Sequence, residues 1–261
     1  MFIIYLIIGI ITGIFSGLLG IGGGLIIVPS LLFVFSWIEL SHSFNMHLAM
    51  GTSLISITLT TLASMYAHHG YRAIMWRVFL LLTPGLILGG FSGALLASIL
   101  SDHFLQIIFS IFVFIAAAQI GIGIFKSVSH RQLPGMFIAS LAGLSIGAIA
   151  ALLGISGGSM VVPYLVWHNV PMRQAVATSA ACCLPPAIAS TIGYLISGWN
   201  IIDLPSYSTG FIYWPAFVGI VLTSTVFARV GAKLAHKISI NLLKRVFAVF
   251  LCIIGAYILN K

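Results

Sequence analysis

The sequence is poor in charge and poorest in acid. Charged residues make up 5% of its 261 positions, and Glu39, Asp102 and Asp203 are the only carboxylate side chains. Such scarcity, beside 61% hydrophobic residues and a mean hydropathy of +1.20, excludes a water-soluble globule. A chain of this length could not hide that much apolar surface, so a polytopic membrane protein is expected. No polar stretch is long enough for a separate soluble domain, and one membrane domain over 1–261 is expected. None of the three carboxylates lies within a hydrophobic run. Proton- and cation-coupled carriers usually keep one at depth, whereas a path for anions gains nothing from it. The three cysteines, Cys182, Cys183 and Cys252, show neither a disulfide framework nor metal-ligand spacing, and no metal or cofactor is expected. The net charge of +8 reflects missing acid. Basic residues at the ends of apolar spans orient a chain against anionic lipid, and no nucleic-acid partner is implied.

No cleavable leader is expected either. Residues 1–19 have no basic n-region and no Ala-x-Ala site, and they are echoed internally: Gly9, Gly13, Leu18, Leu19 and Gly20 recur as Gly143, Gly147, Leu152, Leu153 and Gly154.

What is present is a duplication. Gly20-Ile21-Gly22-Gly23-Gly24-Leu25-Ile26-Ile27-Val28-Pro29 returns as Gly154-Ile155-Ser156-Gly157-Gly158-Ser159-Met160-Val161-Val162-Pro163. Ala49-Met50-Gly51-Thr52-Ser53 returns as Ala175-Val176-Ala177-Thr178-Ser179, and Gly93-Ala94 with Leu105 and Phe109 as Gly231-Ala232 with Leu243 and Phe247. The repeats cover about 1–126 and 134–261. Apolar runs are expected at 2–19, 25–35, 47–66, 76–100 and 104–125, then at 136–153, 160–167, 175–196, 211–228 and 242–259. Most approach the ~20 residues that cross a ~30 Å hydrocarbon core; 25–35 and 160–167 do not and read as half-helices.

The positions of Lys and Arg decide how these run. If each glycine-broken segment crosses once, basic residues fall on both faces. If each instead enters, bends at its glycines and leaves on the side it entered, followed by three full spans, every Lys and Arg except Lys261 is cytoplasmic. Glu39, Asp102 and Asp203 then share the opposite face, and the two halves have inverted topology. The expected fold is an all-α polytopic membrane protein of two homologous halves, each a glycine-broken helix followed by three transmembrane helices.

Gly9, Gly13 and Gly17, like Gly143, Gly147 and Ala151 and like Gly85, Gly89 and Gly93, follow the spacing that lets helices pack closely in lipid. Gly22, Gly23 and Gly24, with Ser156, Gly157 and Gly158, differ because each triplet sits where a half-helix begins. Non-helical backbone at membrane depth needs protein or a wet cavity around it, and a half-helix N-terminus offers N–H donors and the positive end of a dipole to an anion. A tight bend for packing is the bland alternative. Among the many hydroxyls of 47–66, the duplicated Thr52, Ser53, Thr178 and Ser179 are the candidates to complete an oxyanion shell, although Ser and Thr often bond their own helix. Pro185-Pro186 is expected to kink its helix. Gly154-Ile155-Ser156-Gly157 matches an intramembrane serine protease motif, but no later apolar run holds a histidine to activate Ser156, so no enzyme is expected.

The paired glycine motifs, each followed by an apolar run and proline and then by Ala-x-x-Thr-Ser, resemble the sulfite exporter TauE/SafE family of membrane permeases. The resemblance spans the whole chain. It implies a multi-pass carrier of the inner (plasma) membrane whose substrates are small sulfur-containing oxyanions such as sulfite or organosulfonates. By motif position it implies a site at Gly22, Gly23, Gly24, Pro29, Thr52 and Ser53 with Ser156, Gly157, Gly158, Pro163, Thr178 and Ser179. Two departures make the halves unequal: Ser156 replaces a glycine, and Cys182-Cys183 stands where the first half has Ser56-Ile57. The reading is a secondary transporter, a probable exporter, in which one half rocks against the other around a midplane anion site. The expected partners are a small anionic substrate and the lipid bilayer, and a non-transporting binding or signalling module is the competing class.

Overall fold

The computed structural model describes residues 2–20, 22–41, 43–122 and 135–235, together with Leu251, Gly255 and Ile258. Among the described residues the chain is all-α apart from one small hairpin. Its elements are α1 (Phe2–Leu19), α2 (Gly24–Trp37), α3 (Asn45–Gly70), α4 (Trp76–Ser98), α5 (Asp102–Ile122), α6 (Met136–Leu152), α7 (Gly158–Trp167), α8 (Met172–Cys182), α9 (Leu184–Gly198), β1 (Ser208–Thr209), β2 (Ile212–Tyr213) and α10 (Trp214–Ala235). The apolar runs thus emerge as helices with ends displaced by a few residues. The run at 175–196 is divided: Pro185 and Pro186 open α9 without N–H groups to donate, and α8 and α9 join at Cys183 as one kinked span. Apart from Leu251, Gly255 and Ile258, the run at 242–259 lies outside the described residues, as does the basic loop with Lys126, His130 and Arg131.

Five of these helical segments are long and apolar enough to cross a bilayer. Their outward faces carry Leu80, Leu88, Ile111, Ile196 and Leu222, all exposed. Large apolar side chains around the whole perimeter suit lipid, so this is a multi-pass membrane protein.

Two close helix contacts organise the bundle, and glycine makes both. Along α1, a Cβ on Gly9, Gly13 or Gly17 would come within 2.3 Å of Ile220 O, 2.5 Å of Ser224 O and 2.2 Å of Ala228 O, respectively. Along α4, Gly85, Gly89 and Gly93 lie against the carbonyls of Ser140, Leu144 and Ala148, with 1.8, 2.1 and 2.4 Å for the same added atom. The numbers rise together on both partners, so α1 runs parallel to α10 and α4 parallel to α6. Backbones this close leave no room for any side chain, and the attraction is van der Waals contact between the helices themselves.

These registers fix the ends of the molecule. Tyr5 of α1 touches Gly219 near the start of α10, and Phe35 near the end of α2 packs edge-on against Tyr213 at 5.5 Å. α1 and α2 therefore form a hairpin that opens at the start of α10 and bends at Gly20–Gly23. α6 and α7 form a second hairpin: Ala139 near its start and Val166 and Val170 near its end share a cluster with Val78 at the start of α4. It opens at the opposite end.

The end that holds the β-hairpin also carries Glu39, Asp102 and Asp203. Phe211 of the hairpin is wholly buried there, stacked on the His47 ring at 4.9 Å and placed against Gly51. His47 Nδ1 meets Asp102 Oδ1 at 2.5 Å and its Nε2 lies 3.1 Å from Ala97 O, while Met46 N–H donates to Asp102 Oδ2 at 2.8 Å. This cluster ties α3, α4 and α5 together. Arg72, Arg77, Arg173 and Lys233 belong to the other end.

Candidate functional site

The two glycine loops meet inside the bundle. A Cβ on Gly22 would lie 1.7 Å from Ser156 Oγ, and one on Gly24 would lie 2.8 Å from Ile155 Cα. Gly20, Gly22 and Gly23 have φ of +64°, +75° and +84°; Gly154 and Gly157 have +64° and +79°. Side chains rarely adopt this left-handed region, so the sequence can bend here only with glycine. Gly23 and Gly157 are the N-caps of α2 and α7, neither with a side-chain cap. Gly24 and Gly158 start those helices, so two helix N-termini approach the crossing from opposite sides. The loops are not identical, because Ser156 at Gly22's place has ordinary φ.

The duplicated Thr-Ser pairs brace these loops across the halves. Ser53 Oγ donates to Gly154 O at 2.9 Å, and Ser179 Oγ donates to Gly20 O at 3.1 Å and lies 3.2 Å from Gly158 O. Thr52 Oγ1 accepts from Tyr213 N–H at 2.9 Å; Thr178 Oγ1 accepts from Met75 N–H at 3.0 Å. Each half thus supplies the same two contacts to the other. All four side chains are fully buried. A serine hydroxyl has one proton, so Ser53 and Ser179 have it engaged on protein carbonyls, whereas Thr52 and Thr178 act as acceptors and keep their proton for another group.

Of the residues singled out in the sequence, the structure brings together Gly22, Gly23, Gly24, Ser156, Gly157 and Gly158, with Ser53 and Ser179 behind them. It does not bring in Pro29 and Pro163. Both sit six residues past their N-caps, about 9 Å along the helix axis, inside α2 and α7.

Cys183 also belongs to the site. Its thiol lies 3.8 Å from Gly20 O, the carbonyl that also accepts from Ser179 Oγ. At the equivalent place in the first half, Ile57 Cδ1 would be 2.9 Å from a Cβ on Gly24. The signal was the Cys182-Cys183 departure from Ser56-Ile57; what the sequence alone could not supply was that position 183 lies against Gly20 of the first half. Among the described residues, no group of His, Cys, Asp or Glu is arranged to hold a metal.

A bundle of lipid-facing helices enclosing two inward helix N-termini, with no carboxylate beside them, defines a polytopic membrane protein. Comparison with known sequences gives the family: the chain matches sulfite exporter TauE/SafE over residues 5–258 and belongs to it. It is similar to a "probable membrane transporter protein" of Haemophilus influenzae, 32% identical over 250 residues covering 96% of this chain and 95% of that protein. A protein of the same description from Methanocaldococcus jannaschii is 27% identical, with 97% of this chain and 94% of that one covered. Another, from Bacillus subtilis, is 24% identical over 100% of this chain and 98% of its own. No solved structure matches.

Proposed function

We propose that this protein is a secondary transporter that exports a small sulfur-containing oxyanion, such as sulfite or an organosulfonate, across the inner (plasma) membrane. The observation that carries the reading is the meeting of two glycine loops in left-handed conformation, each opening an inward-pointing helix. An anion there gains N–H donors and the positive ends of two helix dipoles, with no carboxylate nearby to repel it. Membership of the TauE/SafE family supports transport, and the family's description supports the class of anion.

In this reading the end bearing Arg72, Arg77, Arg173 and Lys233 faces the cytoplasm, and the halves about 1–126 and 134–261 have inverted topology. Export then needs no further coupling, because an inside-negative potential drives an anion outward by about 2.3 kcal/mol per charge per 100 mV. No catalytic step is assigned to any residue.

The test is uptake of radiolabelled sulfite, sulfoacetate, sulfate and chloride into proteoliposomes under a potassium-diffusion potential of either sign. Flux of one sulfur oxyanion that reverses preference with the potential supports electrogenic transport. A wild type that moves none of them makes the chain a non-transporting membrane module; cation flux overturns the argument from missing carboxylates.

A further inference from the structure

The two inward helix ends are not equivalent, and the difference lies on α1. Thr12 and Ser16 stand one turn apart on that helix, 0% and 1% exposed, and neither hydroxyl oxygen has a hydrogen-bond partner. Elsewhere in these apolar helices Thr58, Thr60, Thr61, Thr83 and Thr191 donate to the carbonyl four residues back. Thr12 and Ser16 do not. Both side chains flank Gly23, the N-cap of α2: a Cβ there would lie 2.3 Å from the Thr12 methyl and 3.6 Å from Ser16 Cβ.

The second half supplies an internal control. At Gly157, the N-cap of α7, the groups in the same places are Ile146 Cγ2 at 3.1 Å and Ala150 Cβ at 3.3 Å. The other flank differs in the opposite sense. Cys183, with its thiol 3.8 Å from Gly20 O, stands in the second half where the first has Ile57, whose Cδ1 would lie 2.9 Å from a Cβ on Gly24.

We propose that the Thr12 and Ser16 hydroxyls are side-chain donors to the oxyanion, at the N-terminus of α2. This rests on the anion reading above and assigns its site. Two O–H donors one turn apart, beside a helix N-terminus and with no acceptor in the protein, suit a ligand that only accepts hydrogen bonds through several oxygens. A hydroxyl-bearing strip continues from the site. Thr60, Ser64 and His68 share one face of α3; Thr60 Oγ1 meets Ser224 Oγ of α10 at 2.6 Å, and His68 Nε2 lies 3.3 Å from Gly17 O of α1. Ser64, between them, is fully buried with no partner for its hydroxyl. The strip leads along α3 toward the basic end.

Binding and transport are read separately, on the full chain in detergent and in proteoliposomes. Sulfite, with sulfate as a second probe, should raise the melting temperature of wild type and of Ala150→Ser. Thr12→Val and Ser16→Ala should lose most of that shift and raise the half-saturating sulfite concentration for flux about tenfold each, and the double variant should lose saturable flux. Their melting temperatures without ligand should equal or exceed that of wild type, since each removes a buried hydroxyl that has no protein partner. Variants that keep the full sulfite-dependent shift, or a wild type that shifts with neither anion, overturn the site. A wild type that shifts with sulfite but carries none into vesicles overturns transport and leaves the site standing.

Discussion

Replacing Gly22 with alanine tests the contact between the two loops more sharply than any other single change. At φ +75° an L side chain in the left-handed region costs about 1–2 kcal/mol. The added Cβ would also fall 1.7 Å from Ser156 Oγ and 2.8 Å from Ser156 Cβ, so one loop must move within a close-packed interior. Overpacking of this kind costs about 1–3 kcal/mol, which brings the single variant to about 2–5 kcal/mol. Ser156→Gly removes the obstructing atoms. Alone it loses the Ser156 hydroxyl and gains chain freedom, at about 1–2 kcal/mol. In the double variant the clash is gone while the backbone strain and the cost of losing Ser156 remain, so its loss should fall short of the sum of the singles by about 1–3 kcal/mol. Reversible denaturant unfolding of the four proteins in micelles measures this. Additivity within about 0.3 kcal/mol would refute the meeting of the loops, since residues out of contact do not couple.

Ser53→Ala should cost more than Ser179→Ala in the same unfolding assay. The first strands Gly154 O without its donor, at about 1–3 kcal/mol, whereas Gly20 O keeps the Cys183 thiol close by. Asp102→Ala removes charge-assisted bonds to Met46 N–H and His47, and about 2–3 kcal/mol of stability should go with it; added to His47→Ala, it should cost little more. Cysteines introduced at Asp102 and Asp203 in a background without native cysteine should both react with an impermeant thiol reagent applied from one side of the membrane, and cysteines at Arg72 and Lys233 only from the other. Labelling of Asp102 and Asp203 positions from opposite sides would overturn the placement of the three carboxylates at one end.

Much of the helical layout was legible because it rests on local signals. The run at 2–19 became α1 over the same residues, and the glycine triplets marked where α2 and α7 begin, since a bend at membrane depth demands left-handed backbone. The short runs showed too little length to cross alone. What stayed hidden depends on partners distant in the chain. Nothing in Thr52-Ser53 says that its threonine will accept from Tyr213 and its serine donate to Gly154, because both partners are backbone groups that any residue carries. The hairpin around Phe211 was hidden for a related reason: 211–228 read as one apolar run, but its first residues turn inward to fill the space over Gly51. Thr12 and Ser16 were visible as two hydroxyls in an apolar run, yet only the arrival of Gly23 beside them distinguishes them from ordinary helix-bonded hydroxyls.

The glycine seams bear on which parts of the molecule can move as rigid bodies. α1 is locked on α10, and α6 on α4, by backbone contacts too close to slide. Each pair joins a helix from the first 126 residues to a helix from the rest of the chain. The cross-bonds of Ser53, Ser179, Thr52 and Thr178 stitch the same boundary. A hinge that separated the first 126 residues from the last would have to tear both seams. Mechanical units therefore cut across the duplication, with α1 and α10 in one mixed unit and α4 and α6 in the other. A copy of either half made alone would present a long groove of bare glycine backbone with nothing to lie in it.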